Sequence, residues 1–183
     1  MATKGLASRT IGLSVIAAAG LALLAPTAQG SRCPGAGAHM HRGTGPTLQN
    51  ATLCLLNQVR ARHGLAPLEA NRALATAARE HARDMVRRGY FSHSTLRGAG
   101  IGDRVRSTGY IRPGRWLVGE NIGWGIGPLS TPGAMVHQWL RSPPHRANIL
   151  RSAFRDVGIG IVRGSPAQRG GGATFVTDFG RIG

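Results

Sequence analysis

The sequence predicts an α+β domain in which the helices come first and the strands come last. In several segments between residues 47 and 141, apolar side chains recur every three or four positions, which is the period of a helix that buries one face. After residue 156 the pattern changes to strict alternation, the period of a strand. Since each such element must bury its apolar face against another, this order indicates a layered α+β fold.

Two long helices are predicted in the first half of the chain. The first begins at Thr47, carries apolar residues at helical spacing, and ends at Gly64. The second is capped by Asn71, whose short polar side chain suits an N-cap, and stops at Gly89. His81 lies on the apolar stripe of this second helix, so we interpret it as a packed or rim histidine rather than a ligand.

A short third helix is predicted over 101–107 and a fourth helix begins at Thr131 and Pro132. Threonine is a good N-cap, and proline is favoured at the first helical position because its missing N–H has no partner there. The pair Pro143-Pro144 ends this helix. The segment 109–133 is rich in Gly and Pro and receives no regular element before Thr131.

The last thirty residues predict a β-hairpin. Val157, Ile159 and Ile161 alternate with glycines, which favours a strand with one buried face. A second strand is predicted over 174–179, after a loop that covers 163–172. The hairpin supplies the sheet of the predicted α+β domain.

Residues 1–30 have the organisation of a secretory signal peptide. Lys4 and Arg9 form a positive start, residues 11–25 form an uncharged apolar run, and residues 28–30 offer small side chains for cleavage. The apolar run is shorter than the roughly 20 residues that span a bilayer, which favours cleavage over an uncleaved anchor. We therefore expect a secreted, extracellular protein without a transmembrane segment after signal cleavage.

The folded domain is expected over 47–183, preceded by an arm. Residues 31–46 contain Gly, Pro, Ala and His without periodicity, which is typical of a flexible segment. The chain has two cysteines, Cys33 and Cys54. An even count in an exported protein favours a disulfide between them, with two free thiols as the alternative.

The chain is strongly basic. It has 23 Lys and Arg against 7 acids, so its net charge is +16, and loss of the two cations of the signal leaves +14. Outside a cell such a surface attracts anionic lipid head groups, acidic polysaccharides or wall polymers. Nucleic acid is not expected as a partner, because the arginines are scattered and no zinc-finger or RNP pattern is present. A monomer is expected.

Three residues on separate segments are candidates for a site: His93, Glu120 and His145. Acids are scarce, so a glutamate framed by Gly119 and Asn121 is expected to do more than solvate the surface. Two imidazoles and a carboxylate can bind a metal, move a proton or hold a polar ligand. Their separations of 27 and 25 residues do not fix which of these applies.

Several catalytic classes are disfavoured by the same sequence. It has no H-E-x-x-H or C-x-x-C metal motif, no G-x-S-x-G elbow, no P-loop and no dinucleotide fingerprint. A serine nucleophile next to His93 is disfavoured because adjacent residues rarely aim at each other. A glycosidase needs two acids around one site, and Glu120 has no evident partner, since Asp156 and Asp178 are assigned to the hairpin.

The order of these motifs resembles the CAP superfamily (cysteine-rich secretory proteins, antigen 5 and pathogenesis-related proteins, the SCP domain) in its compact bacterial form. Each motif alone is modest, and the specificity lies in their order and spacing from about Leu48 to Phe179. The matching residues are Leu55, Leu56, Asn57, Gln58, Val59, Arg60, Gly64, Leu65, Leu68, Leu74, Ala78, His81, Ala82, Met85, Phe91, Ser92, His93, Arg104, Gly109, Tyr110, Gly119, Glu120, Asn121, Ile122, Trp139, Ser142, His145, Arg146, Asn148, Ile149, Leu150, Gly158, Ile159 and Gly160.

The resemblance implies a three-layer α-β-α sandwich with a small antiparallel sheet and a cleft that holds two histidines and two acids. His93, Glu120 and His145 match three of these positions, and Ser142 stands where animal and plant relatives have the second acid. Zinc or another divalent ion then has only His93, Glu120 and His145 as protein ligands, with water to complete the site. Alternatively, Glu120 accepts a hydrogen bond from an imidazole and fixes the cleft.

Three functions are compatible with this reading. The first, which the incomplete tetrad favours, is a non-catalytic extracellular binding module for a lipid, a sterol-like molecule or a cell-wall component. The second is a metal-assisted hydrolase, such as a peptidase, that uses His93, Glu120 and His145 on a bound water. The third is a stable surface-associated scaffold without a small-molecule site.

Overall fold

The fold consists of five helices and a four-stranded sheet in the part of the chain that can be described. The computed structural model describes Met1 and residues 33–41, 43–167 and 171–183. Apart from Met1, the predicted signal peptide 1–30 lies outside these residues. The elements are α1 (Gly45–Arg62), β1 (Glu69–Ala70), α2 (Arg72–Arg88), α3 (Ile101–Ser107), β2 (Trp116–Gly125), a 3₁₀ turn (Gly127–Ser130), α4 (Pro132–Arg141), α5 (Pro143–Ile149), β3 (Asp156–Arg163) and β4 (Ala173–Ile182).

The sheet has the strand order β1-β3-β4-β2. The predicted hairpin is confirmed: β3 and β4 pair antiparallel, with Ile159 opposite Thr177. The sheet also contains β2, antiparallel to β4, and the two-residue β1, which pairs parallel to β3. The expected small antiparallel sheet is therefore extended by one short parallel pair, and β2 forms the edge on the side where the candidate site lies.

Helix α2 begins and ends where its sequence signals predict. The side chain of Asn71 accepts hydrogen bonds from the main-chain N–H groups of Ala73 and Leu74, at 3.0 and 3.2 Å. Gly89 ends the helix with a φ of 66°, a left-handed conformation that glycine adopts without a Cβ clash. Local chemistry alone therefore fixes both ends of the helix that underlies the candidate site.

Two helical layers cover the two faces of the sheet, which confirms the α-β-α sandwich. Helices α1, α4 and α5 pack with alternate side chains of β3 and β4 in the main core. Helix α2 packs against the other face, together with α3. The main core contains Leu48, Leu56, Val59, Leu68, Met135, Val136, Trp139, Ile149, Phe154, Val157, Ile159, Ile161, Ala173, Phe175 and Phe179.

The prediction that β3 buries only one face is wrong, because both of its faces are covered. Gly158 and Gly160 face α2, and a Cβ at either position would lie within 3.0 Å of the main chain of that helix. The glycines thus let the helix approach the sheet closely. Gly158 and Gly160 therefore belong to the surface on which α2 packs, and not to a face exposed to solvent.

Four elements were not predicted from the sequence, namely β1, β2, the 3₁₀ turn and α5, and two of these carry residues of the candidate site. The segment 109–133 contains the ten-residue strand β2, although it is rich in glycine. The prolines after Ser142 end α4 as predicted, but they also begin α5, because proline is favoured in the first helical turn. Both additions matter for the site, since β2 carries Glu120 and α5 carries His145.

The segment before α1 contacts the domain through covalent and polar links. Cys33 and Cys54 form the predicted disulfide. The carbonyl of Ala36 accepts a hydrogen bond from the N–H of Gly133 at 2.8 Å, and a ring nitrogen of His39 lies 3.0 Å from a serine hydroxyl in the 3₁₀ turn. These contacts join the start of the described segment to α1 and to the beginning of α4.

Candidate functional site

The candidate site lies along the edge strand β2, between the two helical layers. Side chains alternate along this strand, so Glu120 faces α2 and α3, while Gly119 and Asn121 face α5. The loop after α2 brings His93 to the strand from one side, and α5 brings His145 from the other. Three segments that are far apart in sequence therefore meet at one place.

Glu120 is the buried centre of the site. Its side chain is only 3% exposed, and its Oε1 lies 2.7 Å from Nδ1 of His93. Its Oε2 forms an ion pair with Nη2 of Arg104. The other terminal nitrogen of Arg104 donates to the carbonyls of His93 and Ala99, at 2.8 and 3.2 Å. Arg104 thus neutralises the carboxylate and fixes the loop that carries His93.

His81 on α2 holds the same loop through a hydrogen bond. As predicted, it is a packed histidine on α2, with 1% of its surface exposed. Its Nε2 lies 2.8 Å from the carbonyl of Ser92, and a carbonyl can only accept, so Nε2 carries a proton. Burial, and then the charge of Arg104, lower the pKa of His81. A neutral His81 therefore holds the Ser92–His93 turn against the domain.

Glu120 has a second carboxyl neighbour that sequence reasoning missed. Asp178 on β4 stands opposite Glu120 in the strand register and is completely buried. Burial, and then the charge of Glu120, raise the pKa of Asp178 well above its ordinary value. Among the described residues, neither oxygen of Asp178 has a hydrogen-bond partner, and its burial next to the Glu120 carboxylate favours the protonated form. The expectation that Glu120 has no carboxylate partner is wrong.

His145 occupies the opposite wall of the cleft. Its ring centre lies 6.5 Å from that of His93. Partial burial, and then His93, lower the pKa of His145, which favours a neutral imidazole. Asn121 Nδ2 donates to the carbonyl of His145 at 3.1 Å, and Asn148 Nδ2 donates to the carbonyl of Glu120 at 3.0 Å. Both asparagines thus bond to main chain, and they join α5 to β2.

A pocket of about 300 Å³ opens beside His145. Ser142, which stands at the expected fourth position, lines this pocket at the junction of α4 and α5 and supplies a hydroxyl in place of a carboxylate. Phe91, 47% exposed, and the partly buried Trp124 form its apolar part. The remaining lining residues are Ile122, Gly123, Gln138 and Trp139. The pocket lining therefore combines polar side chains, among them His145 and Ser142, with apolar and aromatic ones.

The arrangement does not fit a metal ion held by His93, Glu120 and His145. Glu120 has one oxygen on His93 Nδ1 and the other on the Arg104 cation, so no carboxylate oxygen is directed to a metal. Across residues 33–41, 43–167 and 171–183, no group of three His, Cys, Asp or Glu side chains is placed to hold one. What the site offers instead is an imidazole held by a buried, neutralised carboxylate.

A three-layer sandwich with a His/Glu cleft beside an edge strand defines the class of protein as a CAP, or SCP, domain. The chain belongs to the cysteine-rich secretory protein family, whose model matches residues 53–179. It is a domain of the bacterial type, as its relatives show.

Two curated relatives come from Bacillus subtilis (strain 168). The chain is 34% identical to the uncharacterized membrane protein YlbC over 119 residues, which are 64% of the chain and 32% of that protein. It is 34% identical to the uncharacterized protein YkwD over 108 residues, 59% of the chain and 40% of that protein. The chain thus spans about a third to two fifths of these relatives. Within the described part of the chain, no helix has the length and apolarity needed to cross a bilayer.

Solved structures show the same fold. An extracellular protein from Bacillus anthracis that contains an SCP domain superposes with a TM-score of 0.64 and 28% identity, over 75% of this chain and 41% of that one. An outer surface protein from Borrelia burgdorferi superposes with a TM-score of 0.59 and 22% identity, over 70% of this chain and 88% of that one. These neighbours are extracellular or surface proteins.

Proposed function

We propose that the protein is a secreted, non-catalytic binding module whose cleft takes a lipid-like or cell-wall ligand with an apolar body and a polar head group. The observation that carries this proposal is the mixed lining of the pocket, which combines aromatic side chains with Ser142 and His145. The apolar body lies against Phe91 and Trp124, and the head group meets His145, whose ring centre is 6.5 Å from that of His93.

The electrostatics of the cleft favour a neutral or anionic head group. The carboxylate of Glu120 is buried, and Arg104 neutralises it, so it presents no free negative charge to a ligand. His93 donates Nδ1–H to Glu120 and thereby directs its other ring nitrogen away from the domain. A side chain that is 58% exposed but held by a buried partner is a pre-organised contact for a head group.

Secretion rests on three independent features. The first is the signal-like pattern of residues 1–30, and the second is the disulfide between Cys33 and Cys54, which persists in oxidising surroundings. The third is the extracellular or surface location of the structural neighbours. Fractionation of the producing cell, with intact mass of the exported chain, tests this part of the proposal.

A fluorescent long-chain fatty acid is a suitable probe for the cleft. We expect the double variant His93→Ala/His145→Ala to lose at least about tenfold in affinity, equivalent to about 1.4 kcal/mol. Phe91→Ser should weaken binding as well, through the apolar part. The matched control is His137→Ala, an exposed histidine on α4 outside the pocket. Equal binding by the wild type, the double variant and the control would show that the probe does not bind in the cleft, and would contradict the proposal.

A second candidate, hydrolysis of a bound ester or amide, is favoured by one observation. The contact between His93 Nδ1 and Glu120 Oε1 is the orientation in which a carboxylate holds a histidine as general base, with Nε2 free for a water molecule. Turnover of a bound ester that disappears in His93→Gln and persists in His137→Ala would support this function. Retention of turnover in His93→Gln would exclude His93 as the base.

A further inference from the structure

A row of arginines lies on the solvent face of α2, in the layer away from α1, α4 and α5. Arg72, Arg79, Arg83 and Arg87 are spaced by seven, four and four residues, and all four are exposed. At 100° per residue these positions lie within about 80° of one another around the helix. The buried positions of α2 lie on the opposite side. We call these four residues the arginine ridge.

The ridge has the dimensions of a linear binding surface. At 1.5 Å per residue, Arg72 and Arg87 are about 22 Å apart along the helix axis, and the last three arginines follow one another about every 6 Å. A compact anion contacts one or two of these groups at a time. A chain that carries repeated negative charges contacts all four.

Three of the four guanidinium groups are available for a partner. In the described ranges, the side chains of Arg72, Arg79 and Arg83 form no hydrogen bond or ion pair with another residue. Arg87 contacts Asp84 at 3.5 Å, yet its side chain remains 78% exposed. Like charges repeated on one helix face repel one another, so an anionic partner that neutralises them is electrostatically favoured.

We propose that the arginine ridge binds a linear polyanion that carries phosphate or carboxylate groups. Guanidinium groups bind either oxyanion through two parallel hydrogen bonds. Because the four arginines form a line, a linear polymer can contact all of them, and it fits the ridge better than a flat charged surface does. A membrane surface fits less well, because no large apolar side chain of α2 is exposed for insertion among the described residues. Glu80 and Asp84 also flank the ridge on one side and would face the lipid head groups.

This inference goes beyond the proposed function and does not depend on it. The ridge lies on the outer face of α2, whereas the cleft lies along β2, so the two surfaces can be altered separately. Loss of the cleft ligand in His93→Ala/His145→Ala should leave polyanion binding unchanged. Failure of one proposal is therefore distinguishable from failure of the other.

The test compares two triple variants that remove the same charge. Arg72→Gln/Arg79→Gln/Arg83→Gln neutralises the ridge and leaves the Arg87–Asp84 pair in place. The matched control replaces three exposed arginines outside α2, namely Arg97, Arg112 and Arg163, by glutamine. Both proteins are first compared with the wild type by circular dichroism and thermal melting, so that only folded variants are used.

Affinity is measured by titration with linear polyphosphate and with polyglutamate, each longer than the ridge, over a range of salt concentrations. We expect the ridge variant to lose at least tenfold in affinity for one or both polymers, and the control less than threefold. If counterion release from the polymer resembles that from nucleic acid, a plot of log association constant against log salt concentration is less steep for the ridge variant. The magnitude of its negative slope should be smaller than that of the wild type by about 2.

The two polymers distinguish the sources of the oxyanion, since preference for polyphosphate assigns phosphate and preference for polyglutamate assigns carboxylate. Equal losses in the two triple variants would show that net charge alone drives binding, and would overturn the proposal. Stronger ridge-dependent binding to vesicles of anionic lipid than to either polymer would also overturn it.

Discussion

Replacement of Arg60 by methionine tests how much the hydrogen bonds of one buried arginine stabilise the folded domain. Arg60 lies on α1, is fully buried, and has four main-chain carbonyls around its guanidinium group. Its Nε donates to Ala66 at 2.8 Å, and its Nη1 donates to Ile149 and Arg151 at 2.8 and 3.1 Å. Its Nη2 donates to Phe154 at 3.3 Å. One side chain therefore satisfies the loop after α1 and the loop after α5.

The expected loss of stability follows from the carbonyl groups that lose their hydrogen bonds in Arg60→Met. Methionine retains an apolar stem of similar length, so the loss is confined to the hydrogen bonds. Each bond from a charged donor contributes about 1.5–3 kcal/mol, and carbonyls at the rim recover part of this from water. We expect the free energy of unfolding to fall by about 3–5 kcal/mol, which for a domain of this size lowers Tm by about 10–15 °C.

Urea denaturation and calorimetry measure this loss directly. The control is Arg62→Met, an exposed arginine in the last turn of the same helix, for which we expect a change within about 0.5 kcal/mol. A loss below about 1 kcal/mol for Arg60→Met would refute the reasoning, because it would mean that water replaces the guanidinium group at all four carbonyls. A similar loss of stability in both variants would show that the removed positive charge on α1, and not the hydrogen bonds of Arg60, causes the loss.

Three further outcomes follow from the structure. Because burial raises the pKa of Asp178, the folded carboxyl keeps its proton at pH values where the unfolded carboxyl has lost it. The contribution of Asp178 to stability therefore falls as the pH rises above about 4, by up to about 1.4 kcal/mol per pH unit. Asp178→Asn should lack this loss, and its stability relative to the wild type should increase from pH 4 to 7 in urea titrations. Gly158→Ala should cost at least about 3 kcal/mol, since the added Cβ overlaps the main chain at Leu74; an unchanged Tm would contradict this close packing. Reduction of the Cys33–Cys54 disulfide, which closes a loop of 21 residues, should cost about 3 kcal/mol in the same denaturation assay, and no shift on reduction would contradict the estimate.

Helices α1 to α4 and the hairpin were predictable because their signals are local. Asn71 accepts hydrogen bonds from the first turn of α2, and Gly89 adopts the left-handed conformation that ends it. Thr131 caps α4 in the same way, since its hydroxyl accepts from the N–H of Ala134 at 3.3 Å. Each of these choices involves residues within four positions of one another, so the sequence alone specifies it.

The strand β2 was missed because its glycines serve distant contacts. Glycine has low strand propensity, which argues against a strand in this segment when it is considered alone. At Gly119 a Cβ would crowd the ring of Phe154, and at Gly123 it would overlap the sulfur of Met135. These glycines provide space for side chains of the opposite layer, a requirement that becomes visible only in the folded structure.

The carboxyl pair at the site was hidden for a similar reason. Asp178 follows Thr177 in an apolar strand, and alternation alone assigns it to the outer face of a hairpin. In the sandwich that face is covered by α2, so the polar residue becomes the neighbour of Glu120. His93, Glu120 and the family resemblance were accessible from the sequence, whereas their immediate partner depends on strand register.

If the cleft binds a ligand as proposed, the edge strand favours recognition through side chains rather than through main-chain pairing. An edge strand normally exposes unpaired main-chain groups that can pair with another extended chain. Here Asn148 Nδ2 donates to the carbonyl of Glu120, and Trp139 Nε1 donates to the carbonyl of Ile122, both at 3.0 Å. Two main-chain acceptors beside the pocket are therefore occupied, and a peptide that adds as a further strand would have to displace both donors. The groups left for a ligand are the imidazoles and the aromatic side chains, which suits a molecule with a polar head and an apolar body better than an extended peptide.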